Sequence, residues 1–264
     1  MNKHLLFLML VCFYTAANGQ YWFGPKGGIQ RTDFIFQEAD YKTDSFNVSS
    51  DLSGQFGLMF IYQASEKYAV HAELNYERLN KKVTNKADDD IPIFSKTRFH
   101  YLTIPFSLRW NFGSEPVHYY IGGGPKLSYW LGGTGEILLD EFNEARTVDA
   151  PIPYSIYFTQ DKGGDSDKRA IVEANRFQYG LQVSTGMYFD VVTGGRVLVD
   201  LRYSFGHSNM GFNDNSDFTF TTYTENFEFR NYSLSLSLAY LFEYDAALQR
   251  KGSSTNKNSR KVRR

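Results

Sequence analysis

The sequence predicts an all-β fold, an eight-stranded antiparallel up-and-down transmembrane β-barrel with short turns at one end and long loops at the other. Three observations carry this expectation. The last apolar segment alternates strictly at period 2, eight candidate strands are joined by connections that alternate short and long, and aromatics abound in a chain of polar average.

Asn231–Phe242, NYSLSLSLAYLF, sets Tyr232, Leu234, Leu236, Leu238, Tyr240 and Phe242 against Ser233, Ser235, Ser237 and Ala239. Such alternation makes a strand with one apolar face and one small, mostly polar face. Aromatics stand at both ends of the apolar face. At ~3.3 Å per residue and a tilt near ~40°, they lie roughly 25 Å apart, the height of the apolar band on an outer-membrane barrel.

Composition agrees. Mean hydropathy is −0.41, yet 17% of residues are aromatic, with 19 Tyr and 23 Phe. A barrel reconciles the two, because only alternate residues face lipid and aromatics gather at the interfaces. Met1–Gly19 reads as a secretory signal, with Lys3 and His4 before an apolar run that begins at Leu5 and small residues before Gln20. A helix needs ~20 apolar residues to cross a bilayer. The run is shorter, and no other segment approaches that length, which excludes a helical membrane protein. Cys12, the only cysteine, lies in the run. The mature chain then has no disulfide, thiolate metal site or cysteine nucleophile.

The candidate strands are Trp22–Gln37, Ser53–Ala64, Tyr68–Val83, Arg98–Phe112, Val117–Leu131, Glu173–Val191, Arg196–His207 and Phe227–Phe242. Short connections at Ser65–Lys67, Gly113–Pro116 and Val192–Gly195 have turn chemistry. Long ones span Glu38–Leu52, Thr84–Thr97, Gly132–Val172 and Ser208–Asn226. Short periplasmic turns alternating with long external loops place both termini in the periplasm. The expected domains are a signal peptide over 1–19, a barrel over 20–248, and a disordered basic tail over 249–264 that lacks acids and large hydrophobics.

The faces distinguish a membrane barrel from a soluble one. In Tyr101–Phe112 the apolar set is Leu102, Ile104, Phe106, Leu108, Trp110 and Phe112, opposite Tyr101, Thr103, Pro105, Ser107, Arg109 and Asn111. A soluble exterior would be dense in Lys and Glu, whereas these polar faces carry Ser, Gly, Thr and Gln with isolated charges. Small residues suit a crowded lumen. Its expected charges are Glu73, Glu77, Asp190 and Asp200 against Arg109, Lys126, Arg196 and Arg202, a set that can neutralise itself by ion pairing, as buried charge requires. Eight strands leave an interior that side chains fill, and Trp130, Tyr120 and Tyr188 are expected to plug it.

Phe23–Ile29 (FGPKGGI), Tyr101–Trp110 (YLTIPFSLRW) and Tyr119–Leu131 (YYIGGGPKLSYWL) resemble the PorT-like outer-membrane β-barrel family of gram-negative envelopes. The resemblance covers most of the barrel. It implies an integral outer-membrane location and, through those members that serve it, a link to type IX protein secretion.

Other motifs have plainer readings. Gly122–Gly124 before Pro125 and Lys126 could cradle phosphate, but such cradles need a following helix, so these glycines read as room for bulky neighbours. Asp88–Asp90 and Asp161, Asp165 and Asp167 read as solvated loops. His71, His100, His118 and His207 lack a nucleophile motif, and His207–Ser208 before Asp214 is the one place where a rim enzyme would be sought. Arg250, Lys251, Lys257, Arg260, Lys261, Arg263 and Arg264 form a tail suited to an anionic surface or acidic partner. Expected partners are outer-membrane lipid and other envelope or secretion proteins, met through residues 132–172 or the tail. No cofactor, metal or nucleic acid is expected. The functional expectation is a non-enzymatic scaffold, with a small porin-like channel or a rim enzyme as alternatives.

Overall fold

The computed structural model describes residues 19–36, 46–85, 94–138, 151–158, 168–171, 174–191, 194–211, 218–219, 224–225 and 227–244. Eight strands build the barrel: β1 (Gln20–Phe36), β3 (Ser53–Gln63), β4 (Tyr68–Asn85), β5 (Phe94–Ser114), β6 (Val117–Leu138), β9 (Phe177–Val191), β10 (Gly195–Gly206) and β13 (Phe229–Tyr244). All eight neighbouring pairs are antiparallel. The last strand pairs with the first, Leu236 opposite Ile29, and closes the ring. Closure matters because an open edge in lipid would leave backbone polar groups unpaired.

Short strands extend one end. β2 (Phe46–Ser49) adds to β4, β7 (Ile152–Phe158) adds to β6, β8 (Lys168–Ile171) lies parallel to β7, and β11 (Phe218–Thr219) pairs with β12 (Thr224–Glu225). We call this the loop end. The other, the turn end, carries the connections at 64–67 and 115–116 and Gly194, together with Gln20 and Tyr244. Gly113 at φ +100° and Gly194 at φ +87° serve the second and third turns.

The expected strands are all present; β5 and β6 run well beyond their expected bounds, while β9 begins at Phe177 rather than at Glu173. β5 has 21 residues and β6 has 22, so part of the segment expected as a loop, Gly132–Val172, is barrel wall and cap. The device is a bulge. His100 pairs with Gly132 and Tyr101 with Trp130, which leaves Leu131 without a partner on β5. Gly132 takes φ +132°, a conformation that costs an L side chain strain. Before the bulge, Tyr120 and Trp130 point inward; after it, Gly133, Gly135 and Ile137 do. One extra residue thus switches which parity faces the lumen.

The outer face is apolar and bracketed by aromatics. Leu58, Leu74, Ile104, Ile121, Val183, Leu201, Leu236 and Leu238 are exposed across the middle. Phe23, Trp110, Phe112, Tyr119, Phe189 and Phe242 stand nearer the turn end, and Phe56, Tyr129, Phe177, Tyr179 and Phe205 nearer the loop end. This is the surface expected against a bilayer.

The lumen is filled in three layers. Trp22, Met59, Ile61, Ala69, Tyr120, Tyr188, Leu198, Ala239 and Leu241 form an apolar layer toward the turn end. Phe34, Phe36, Leu79, Val83, Phe99, Tyr101, Trp130, Ile137, Tyr154, Phe227 and Phe229 belong to the larger apolar layer at the loop end. A polar layer lies between them.

Candidate functional site

The polar layer is organised on Glu73, a carboxylate on β4 with no exposed side-chain surface. It accepts from Lys26 Nζ at 2.9 and 3.0 Å, from Asn75 Nδ2 at 2.6 Å, and from both terminal nitrogens of Arg202 at 2.7 and 2.9 Å. His71 Nε2 lies 2.6 Å from Glu73 Oε1. Four donors from three strands thus satisfy one buried charge, the condition under which such burial is tolerated.

Asp200 sits beside it on β10. Its Oδ2 accepts from Arg202 at 2.9 Å and lies 3.8 Å from Lys26 and 3.7 Å from Arg109. Arg109 stacks on Tyr120, its guanidinium carbon 4.0 Å from the ring centroid. One step toward the loop end, Glu77 accepts from Lys126 at 2.8 Å and from the Thr103 hydroxyl at 2.8 Å. Gln182 donates to Ser107 Oγ at 2.9 Å. Small residues face these long side chains because two bulky neighbours would not fit. A Cβ at Gly122 would stand 2.7 Å from Leu108 O and 3.0 Å from Arg109 Cγ, so this glycine leaves room for the neighbouring strand and its arginine.

The sequence-predicted charges divide into two places. Glu73, Glu77, Arg109, Lys126, Asp200 and Arg202 are brought together in the polar layer. Asp190 and Arg196 pair at the turn end instead, where Arg196 donates to both Asp190 oxygens at 2.6 and 3.1 Å and to Gln63 Oε1 at 3.0 Å. Trp22 and Tyr188 sandwich this guanidinium at 3.9 and 4.1 Å. A cleft of about 500 Å³ opens there, lined by Gln63, Trp110, Asn111, His118, Tyr188 and Arg196 among others.

Two members of the network lie outside the expected charge set. Lys26 lies within FGPKGGI, where glycines hide the alternation, although its even number matches the inward set Trp22, Gln30 and Thr32. His71 shares the odd, inward parity of Glu73 and Glu77. Both are 4% exposed or less.

The rim histidine has a plain setting. His207 is exposed, its backbone N–H donates to Tyr179 O at 3.0 Å, and its ring lies 5.4 Å from that of Tyr179. Ser208 Oγ accepts from the Tyr179 N–H at 3.0 Å. Asp214, the acid-rich stretches 88–90 and 161–167, residues 1–18 of the segment 1–19 expected as a signal peptide, and the basic residues Arg250, Lys251, Lys257, Arg260, Lys261, Arg263 and Arg264 lie outside the described residues.

Comparisons with known proteins agree with this architecture. Residues 16–210 match the family described as outer membrane protein beta-barrel domain. No curated protein matches the chain in sequence. Among solved structures, the outer membrane protein OprG from Pseudomonas aeruginosa superposes with a TM-score of 0.50 at 13% identity, over 86% of this chain and 97% of that one. The outer membrane protein AlkL gives 0.44 at 12%, over 87% and 92%. The outer membrane protease OmpT from Escherichia coli gives 0.38 at 10%, over 86% and 97%. At these identities the likeness to OprG is one of fold. The chain belongs to the outer membrane protein beta-barrel domain family and is an integral barrel of the bacterial outer membrane.

Proposed function

We propose that the protein is a non-enzymatic, non-conducting outer-membrane scaffold that engages other envelope components through its loop-end elements and its basic tail. The observation that carries this reading is the filled lumen. Two apolar layers flank a polar layer whose charges pair with one another among the described residues, which supports a lumen filled by its own side chains. With the interior occupied, activity belongs at the ends.

Barrel topology supports an orientation: the short turns lie with Gln20 and Tyr244, and the strand extensions lie opposite, an arrangement that matches periplasmic turns and external loops. The loops then meet the outside, and the tail meets the periplasm with seven positive charges and no acid. FGPKGGI, YLTIPFSLRW and YYIGGGPKLSYWL, which carry the PorT-like resemblance, are strand segments. They speak to the construction of the wall and lumen rather than to a process, and type IX secretion enters only as a place to look for partners.

The test is cross-linking and affinity purification from the native envelope with three chains: full length, truncated after residue 248, and with residues 139–150 replaced by a short turn. The reading expects a specific partner that one alteration releases while heat-modifiable gel mobility stays intact. Identical partners from all three chains would contradict it.

A further inference from the structure

We propose that the outward rim of β4 and β5 at the loop end binds the phosphorylated headgroup of a membrane lipid. Arg78 faces outward directly opposite His100, and two steps further Lys82 stands opposite Lys96. Arg98, between them on β5, shares their outward parity. Lys82 and Lys96 are like charges directly opposed across a pair of strands, which is unfavourable. With Arg78 and Arg98 they set four cations on one small patch beside His100, and an anion placed at Arg78 and Arg98 relieves it.

Arg78 is the member of the patch that the described acids leave unserved. Lys96 reaches Asp51 at 3.2 Å and Arg98 reaches Glu136 at 3.3 Å. These pairs are part-exposed and correspondingly weak. Arg78 is exposed and has no acid partner among the described residues. His100 is held in place by the hydroxyl of Tyr76, whose ring lies 5.9 Å from the imidazole. Beside Arg78, Gly54 is exposed and a Cβ there would meet nothing within 4 Å, so the shelf has space for a bulky headgroup.

Position identifies the ligand as a lipid. The patch begins one outward step beyond Tyr76, which packs on Phe56 at 5.1 Å. Below those rings Leu58, Leu74 and Leu102 are 60%, 45% and 38% exposed. Phosphate at Arg78, His100 and Arg98 therefore leads straight down to an apolar track for acyl chains. Arginine suits this role because its planar fork matches phosphate oxygens. The leaflet that supplies the lipid rests on the orientation proposed above; the binding itself does not.

The experiment uses the full chain in detergent micelles and reads bound lipid by native mass spectrometry. The probes are diphosphoryl lipid A, the same lipid with its phosphates removed, and inorganic phosphate. Wild type is expected to retain diphosphoryl lipid A and to release the dephosphorylated form. Arg78→Gln/Arg98→Gln is expected to bind about thirtyfold more weakly, as the loss of two interfacial cations implies. Arg230→Gln, on the opposite side of the ring, is the control and should match wild type. Equal retention of both lipids, unchanged affinity in the double variant, or displacement by millimolar inorganic phosphate would each overturn the proposal. Protease access to the loops in whole cells reads orientation separately, so the two readings fail independently.

Discussion

Arg202 grips Glu73 through both terminal nitrogens, Nη2 to Oε1 at 2.7 Å and Nη1 to Oε2 at 2.9 Å. The pair joins β10 to β4, which lie across the ring from one another. It is a strut through the middle of the lumen. Lys26 on β1 and His71 on β4 brace the same carboxylate.

Removing one end of the strut leaves a buried charge without its partner. Glu73→Gln is expected to destabilise the barrel by about 3–5 kcal/mol, read as a lower urea midpoint for refolded protein in micelles. Glu73→Gln/Arg202→Gln should cost less than the sum of the two single changes, because both break one interaction. Additive losses would show that the contact does not couple the two strands.

At the loop end, Trp130 is fully buried, with edge-on rings of Phe99 at 5.7 Å and Phe158 at 4.8 Å. Trp130→Ala is expected to cost about 3–5 kcal/mol through lost transfer energy and the cavity left behind. The same urea titration measures it. A loss near zero would mean that the cap does not pack as described.

The bulge gives a backbone prediction. Gly132→Val must place a branched side chain at φ +132°, which costs of order 1–3 kcal/mol. The inward turn of Ile137 depends on that residue, so tryptophan fluorescence should also shift as Trp130 loses its packing. An unchanged spectrum with full stability would contradict the bulge.

The outer wall predicts a depth profile. Val183 lies mid-strand, 53% exposed, and Val183→Arg is expected to cost about 2–4 kcal/mol in a bilayer. Phe177→Arg, near the loop-end rim, should cost about 0–1 kcal/mol through the charge itself. Equal costs, measured by urea titration in lipid vesicles, would place the apolar band elsewhere.

The wall was legible in the sequence because every spanning residue meets either lipid or lumen, and period 2 records that choice directly. Ser233, Ser235 and Ser237 are buried while Leu234, Leu236 and Leu238 are exposed, as the alternation reads. Glu73, Arg109, Asp200 and Arg202 could be named together because isolated charges on small polar faces have only the lumen to pair in. Lys26 escaped because its neighbours Gly24, Pro25, Gly27 and Gly28 give no contrast between faces. The Gly132 bulge escaped for a different reason. Which residue is skipped is decided by pairing with His100 and Tyr101 on another strand, and nothing local marks Leu131 as the extra one. The IPYSIYF strand alternates at 152–158, yet it lies among loop residues and only its pairing to β6 makes it a strand.

The central claim is that the lumen is closed by its own side chains, and single-channel recording in planar bilayers tests it most directly. Purified wild-type protein inserted at a known density should hold the baseline current. Discrete, reproducible conductance steps that scale with the protein added would contradict the account.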